Sequence, residues 1–379
     1  MIPSRIVHVV PSLGTGGAER VVVDLLAALS DRCEAHLISM FDRTGAQLER
    51  RVEEAGITVH YLGKRYGKDG RMFSRISAVL VAVKPEIIHT HMYGLAYCPL
   101  ALLRMRHAMW FHTIHNIALY DAGGSVGYYV NRLAFQMGVR PVAISERLRL
   151  DVASTYRRAT VPVVPNGIPV NRFRRSESAR GQMRATFGFG AKDVVFTSVA
   201  SLWPVKNHGG LLKAFGNVAR RYSTARLLIV GDGILRAQLA ALCGALGLDR
   251  VVTFLGERGD VPEILSASDV FVSSSFSEGN PLSIMEAMAA SLPVIAPRIG
   301  GIPDLVTDAS NGVLVSAEMG DELSEAMCRL TVDEERRRSM GTCSLDKARR
   351  NCDISLMADR YWQLYCHRGS DATEALVRR

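Results

Sequence analysis

Several absences narrow the reading of this chain before any motif is considered. In 379 residues there is no run of eighteen or more uncharged apolar residues, so nothing in the sequence is built to span a bilayer. The seven cysteines form no Cys-x-x-Cys pair, and an odd, scattered set argues against a disulfide framework or a zinc ribbon and for a reducing, cytoplasmic setting. His-Glu-x-x-His and Asp-x-Asp are missing, and with them the spacings most used to hold a catalytic divalent metal. Low-complexity segments and internal repeats are also lacking. The opening "MIPSRIVHVVPSLG" has too short an apolar run for a secretion signal and reads as a buried strand.

What is present is an ordinary globular composition, 48% apolar and 22% charged. The length suits two domains rather than one core. The net charge of +9 is unevenly placed: residues 1–165 hold 20 basic and 13 acidic residues, against 26 and 24 in the rest. A polyanionic partner should therefore meet the first half.

Short β-branched runs alternate with amphipathic stretches, the pattern of βαβ units and a doubly wound parallel sheet. In the first half the runs are "RIVHVV" (5–10), "AHLISMF" (35–41), "ITVHYL" (57–62), "EIIHTH" (86–91), "MWFHTIH" (109–115), "PVAIS" (141–145) and "VPVVPNG" (161–167). Residues 171–193, rich in charge and glycine, read as the junction between domains. A second series follows: "VVFTSVA" (194–200), "ARLLIVGDG" (225–233), "VVTFLG" (251–256), "DVFVSSS" (269–275), "PVIAP" (293–297) and "NGVLV" (311–315). The boundaries expected are 1–170 and 171–352 for two Rossmann-like α/β domains, with 353–379 as a terminal helix crossing back to the first. That helix places Ile354, Met357, Tyr361 and Tyr365 on one face.

Candidate chemistry concentrates in the second half. In "SFSEGNPLSIMEAMA" (275–289), Asn280 reads as a helix N-cap and Pro281 as the first helical residue. The free amides beyond them make an anion site. Glu278 stands just outside that helix and Glu286 about one turn inside, where a carboxylate suits sugar hydroxyls better than phosphate. A routine acidic first turn explains this stretch equally well when it is taken alone. Lys206 lies in a turn after a strand, where a lone lysine is most often solvated surface. Gly231, in "GDG", ends the next strand where another group can approach the backbone closely. All four positions fall at strand C-terminal ends, the rim where ligands bind in such folds.

Taken in order, these residues resemble a known family. The Glu278–x7–Glu286 spacing, Lys206-Asn207 and "GGIPDLVTDASNGVLV" (300–315) are similar to the family-4 retaining glycosyltransferases. So are "GTGGAE" (14–19), "IIHTH" (87–91), "HTIHN" (112–116), "ISERL" (144–148) and "VVPNGI" (163–168), and the resemblance covers nearly the whole chain. It implies the GT-B fold, two Rossmann-like domains facing a cleft, the first for an acceptor and the second for a nucleotide-sugar donor. It implies Lys206 at the donor diphosphate, Glu286 at the ribose, and Glu278 at donor-sugar hydroxyls. Amides around Gly279, Asn280, Pro281 and Leu282 would meet phosphates or sugar, Gly16 and Gly17 would form a loop over the donor, and His115 would lie beside the transferred sugar. Ser201 stands where the family usually carries an arginine; Arg298 is one candidate to supply the missing cation.

The expected activity is metal-independent transfer of a hexosyl-type group from a nucleotide-diphosphate sugar to a hydroxyl of a glycan or lipid-linked acceptor, in cell-surface polysaccharide or glycolipid synthesis. The donor is a substrate, and no cofactor is expected. A GT-B epimerase or phosphorylase, or a non-catalytic partner of a glycan assembly complex, are the alternatives. The N-terminal glycines also echo a dinucleotide-binding turn, with Asp42 as ribose acid, but Glu19 replaces its third glycine and the second half would go unexplained. His89, His91, His112 and His115 admit a zinc hypothesis, against which polar cleft lining is the preferred reading; His8 reads as a plain strand residue. The basic run 64–75, with Phe73, Leu102, Leu103 and Trp110 nearby, suits an anionic membrane surface, hence a peripheral place on the cytoplasmic face of the inner membrane. The bland version of that run is a solvated loop beside a core helix. No nucleic-acid module is recognisable.

Overall fold

The computed structural model describes residues 2–14, 16–158 and 160–367. The stretch 368–379 of the expected terminal segment, and Thr15 of the glycine loop, lie outside the described residues. The chain divides into two compact units, one running to Gly167 and resuming at Ile354, the other Ile168–Asp353.

The first unit carries β1 (Arg5–Val10), β2 (Glu34–Ser39), β3 (Thr58–Tyr61), β4 (Ile87–His91), β5 (Met109–Ile114) and β6 (Arg140–Ala143). They pair in parallel in the order β3-β2-β1-β4-β5-β6. The central strands are buried because helices cover both faces of a parallel sheet; β4 is buried along its whole length although it carries His89, Thr90 and His91. The second unit carries β7 (Val194–Val199), β8 (Ala225–Val230), β9 (Val252–Gly256), β10 (Val270–Val272), β11 (Val294–Pro297) and β12 (Gly312–Val315), in the order β12-β11-β10-β7-β8-β9. In both, the third crossover returns to the far side of the first strand. This opens a crevice at the C-terminal ends of β1 and β4, and of β7 and β10, the points where doubly wound sheets receive ligands.

Two sequence expectations are corrected here. Residues 161–167 form no strand and touch the sheet only through an Ala143–Val163 bridge; Pro162 and Pro165 lack the N–H groups a ladder needs. Residues 171–193 are not a junction but an integral part of the second unit. Helix Glu177–Thr186 starts on a Ser176 cap that accepts from the Ala179 N–H. Arg180 and Arg184 then clamp Asp269 at 2.7 and 3.2 Å, and the buried Arg184 guanidinium also donates to the carbonyls of Gly190 and Asp193.

The helix Ile354–Cys366 belongs to the first unit. It buries Met357, Tyr361 and Tyr365, packs beside helix Gly17–Leu29, and is tied to the loop after that helix by an Arg32–Asp359 ion pair at 2.6 Å.

Candidate functional site

The crevice at the ends of β7 and β10 is where the predicted second-half residues gather. After β7 the chain turns through Pro204–Lys206 into Asn207, which is left-handed (φ 50°, ψ 41°) and caps helix His208–Arg221 by accepting from the Gly210 N–H. After β10, the serine run Ser273–Ser275 laces this turn down. The Ser274 hydroxyl donates to the carbonyls of Lys206 and Asn207 at 2.9 and 3.1 Å, and the Phe276 N–H donates to Val205. The Lys206 ammonium thereby sits 2.7 Å from Glu278 Oε1, which also accepts from the Ser275 hydroxyl at 2.6 Å. The pair is partly buried, with side chains 23% and 12% exposed, so water screens it less than it would a surface bridge. Ser198, Ser273 and Ser283 line the same concavity.

Two glycines hold its walls. Gly231 (φ +127°) lies so close to Ala200 that a Cβ would come within 2.1 Å of that carbonyl oxygen, and one on Gly300 (φ +52°) would fall 1.7 Å from the Glu278 carbonyl. Ser201, beside Gly231, is exposed and brings no charge. Arg298, after β11, is loosely paired with Asp308 at 3.6 Å, both side chains more than half exposed.

The helix here is Leu282–Ala289, one residue shorter than its sequence suggests, so the expected cap is corrected. Pro281 is extended (φ −73°, ψ 120°) and is itself the cap, and Asn280 is buried one position earlier. Pro281, as the cap residue, offers no side-chain acceptor to the first amides of the helix. Gly279 is half-buried, Pro281 and Leu282 are buried, and Glu286 lies one turn in with only 1% exposure.

In the first unit, Gly16 caps helix Gly17–Leu29 and both glycines are exposed. The Glu19 carboxylate folds back over Gly16 and accepts from the Ser12 hydroxyl at 3.4 Å. A carboxylate at that helix tip holds the position a pyrophosphate would need, which removes the dinucleotide reading.

The histidines differ from their expected role. His8, His89, His91 and His112 are fully buried rather than lining a surface; only His115 reaches solvent. His8 is not a plain strand residue. The register pairs it with His89 across β1 and β4, and its Nδ1 lies 3.0 Å from His91 Nε2. His91 Nδ1 in turn lies 3.0 Å from His115 Nε2. Burial pushes His8 down to about 3, and desolvation around His115 brings it to about 4. Asp121 fixes the His115 backbone by accepting its N–H at 2.8 Å. His8, His89 and His91 are close enough together to hold a metal ion, but each of their ring nitrogens already has a hydrogen-bond partner.

The membrane expectation for the run 64–75 is also altered. Leu102 and Trp110 are core residues, and Lys64 is buried and donates to the carbonyls of Arg65 and Gly67. Phe73 and Leu103 remain exposed. Among the described residues no helix is long and apolar enough to cross a membrane.

Comparison with known proteins gives the family and the fold. Residues 15–172 match the family described as Glycosyltransferase Family 4, and residues 180–344 match Glycosyl transferases group 1. The chain belongs to the family-4 glycosyltransferases. It is 33% identical over 177 residues to the Escherichia coli UDP-Gal:alpha-D-GlcNAc-diphosphoundecaprenol alpha-1,3-galactosyltransferase, a match covering 46% of each chain. It is 30% identical over 208 residues to the GDP-mannose-dependent alpha-(1-6)-phosphatidylinositol monomannoside mannosyltransferase of Mycobacterium tuberculosis, covering 52% of this chain and 54% of that one. These matches span about half the length of each relative. Anabaena HepE, crystallised with UDP and glucose, aligns over 96% of this chain and 99% of its own, with a TM-score of 0.84 and 22% identity. That likeness establishes the fold, GT-B, with its two Rossmann-like units.

For this family-4 glycosyltransferase the sequence pointed to Lys206, Glu278 and His115 but missed Ser275, Asp121 and the histidine partners Tyr361 and Tyr365. The spacing of His89 and His91 two apart on one strand was the signal available for a shared face.

The buried imidazoles give a pH prediction. His8, His89, His91 and His115 are depressed when folded and ordinary when unfolded, so protons bind the unfolded chain preferentially below about pH 6.5. Their contribution is complete above that value and is lost as pH falls. Urea unfolding followed by fluorescence, with Trp110 and Trp362 both in the first unit, should lose at least ~1.4 kcal/mol per unit between pH 6 and 5. A flat profile there would show the rings protonated or exposed.

Proposed function

We propose that this chain transfers a hexosyl-type group, with retention, from a nucleotide-diphosphate sugar to a hydroxyl of a glycan or lipid-linked acceptor. The observation that carries the reading is the Lys206–Glu278 pair beside the start of helix Leu282–Ala289 at the β7/β10 crevice. On donor binding, the diphosphate takes Lys206 from Glu278, and Glu278 turns its freed lone pairs to donor-sugar hydroxyls. Glu286 receives the ribose, while Gly279, Asn280, Pro281 and Leu282 form the backbone edge of the pocket. Gly231 keeps the opposite wall low, with Ser201 beside it, and the loosely held Arg298 supplies the second cation.

As the glycosidic bond breaks, negative charge builds on the diphosphate. In this reading Lys206 and the amides following Pro281 stabilise that charge, and no divalent ion is required. An oxygen of the departing phosphate accepts the acceptor's proton. In the first unit Gly16 and Gly17 open helix Gly17–Leu29, and His115 hydrogen-bonds a sugar hydroxyl.

The E. coli and M. tuberculosis relatives are named for lipid-linked acceptors and for UDP-galactose and GDP-mannose respectively, which supports a lipid-linked acceptor here. A screen of UDP-, GDP- and ADP-sugars by thermal shift finds the donor. With it, Lys206→Ala should lower kcat by about 10²–10³-fold and Glu286→Ala should act mainly by raising the donor KM, both in EDTA. Unchanged donor kinetics in both variants would defeat the site; absence of any turnover would favour a non-catalytic partner, as the uncharged Ser201 hints.

We further propose that the first unit docks on anionic bilayers through the exposed apolar row Val126, Tyr129, Leu133 and Met137, 44–67% exposed, at the helical spacing of one face. Flotation with anionic vesicles should carry the protein at low salt, and Leu133→Glu should reduce it. Recovery entirely in the pellet fraction would remove the proposal.

A further inference from the structure

A single hydrogen-bonded chain runs through the first unit from the terminal helix to His115. Tyr361 Oη meets Thr113 Oγ1 at 2.8 Å, and Thr113 Oγ1 meets His89 Nε2 at 2.8 Å. His89 Nδ1 meets Tyr365 Oη at 2.6 Å, and Tyr365 Oη meets His8 Nε2 at 3.2 Å. His8 Nδ1 then meets His91 Nε2, and His91 Nδ1 meets His115 Nε2, each at 3.0 Å. The alignment follows from register: His8 is paired with His89 and His91 with Thr113, so all four side chains share one face of the sheet.

The protons of this chain can be counted. Burial holds the four imidazoles neutral and both phenols protonated. Each of the seven groups then has one proton to give, and six links join them. A neutral imidazole bonded at both nitrogens must donate from one and accept at the other, so the links run in one direction. Tyr361 settles which. Its hydroxyl is buried and has Thr113 as its one partner among the described residues, so the phenol must donate there or strand its proton without an acceptor. Thr113 then donates to His89 Nε2, His89 Nδ1–H to Tyr365, Tyr365 to His8 Nε2, His8 Nδ1–H to His91 Nε2, and His91 Nδ1–H to His115 Nε2. The surplus proton is left at the solvent-reaching end, on His115 Nδ1, which has no partner among the described residues.

We propose that this chain locks His115 as a neutral Nδ1–H donor, with Tyr361 and Tyr365 as positioning residues acting on it from the terminal helix. The ligand group it fits is an oxygen acceptor. Under the transferase reading, on which this identification rests, that acceptor is a sugar hydroxyl oxygen. The same assignment denies His115 a general-base role through Nδ1, because that nitrogen has no lone pair to offer.

The test is long-range 1H–15N correlation of the full chain with 15N-labelled histidine at pH 7, His115 being assigned from its loss in His115→Gln. Expected is one tautomer, protonated at Nδ1 with a lone pair at Nε2. Tyr365→Phe removes the link between His89 and His8 and should turn that single form into a mixture of both tautomers. A wild-type His115 protonated at Nε2, or charged, overturns the proposal, as does an unaltered single tautomer in Tyr365→Phe. If that variant does not fold, the wild-type spectrum decides alone. An equivalent of tightly held zinc that disappears in His8→Ala would also overturn it, since metal and ring-to-ring bonds compete for the same lone pairs. The Nδ1–H form in a chain that transfers no sugar would sink the transferase reading and leave this one standing.

Discussion

The ion pair between Lys206 and Glu278 depends on most of what surrounds it in the second unit, and the proposed chemistry depends on it. It exists because β7 and β10 are neighbours though distant in sequence, so the loops leaving them meet. Ser274 fastens one loop to the other, and Gly300 leaves room for the Glu278 carbonyl. A lysine alone in this turn would be free to wander. Held 2.7 Å from a carboxylate and partly out of water, it stays at the mouth of the pocket, where under the proposed function a donor diphosphate would displace the carboxylate. A diphosphate carries more charge than a carboxylate and adds the helix amides as partners, so exchange is favourable on electrostatic grounds.

The first unit uses the same strand order for a different purpose. Its glycine turn is covered by Glu19, a carboxylate, and its central strands carry imidazoles, whereas the second unit places serines and a lysine in the turns that follow β7 and β10. In the proposed function the second unit's crevice takes an anion, while the proposed histidine chain of the first ends in a neutral ring. Two copies of one topology thus differ in function through the side chains at their strand ends, the expected outcome when chemistry is grafted onto a common fold.

Much of this was legible in the sequence because parallel strands buried on both faces leave uninterrupted β-branched runs, and twelve of the thirteen expected runs became strands. The exception, 161–167, has the right composition but two prolines. Boundaries were harder: 171–193 looks like a linker by charge and glycine content, and only the Arg180 and Arg184 clamp on Asp269 shows why it is helix packed on the sheet. Asn280 is a good cap by type, yet Pro281 takes the extended conformation that defines the cap. The Lys206–Glu278 site could be inferred from the rule that strand C-terminal ends share a rim. The histidine chain could not, because it needs the β1–β4 register and two tyrosines from a helix some 250 residues further along.

The central claim is that Glu278 holds Lys206 in place of a diphosphate. Calorimetric titration of UDP, GDP and ADP into the wild-type protein and Glu278→Gln tests it without requiring turnover. Neutralising the carboxylate should free the ammonium, so the preferred nucleoside diphosphate should bind the variant roughly two- to fivefold more tightly, the scale of one partly exposed ion pair. Equal or weaker binding to Glu278→Gln would contradict the account and place the diphosphate away from Lys206.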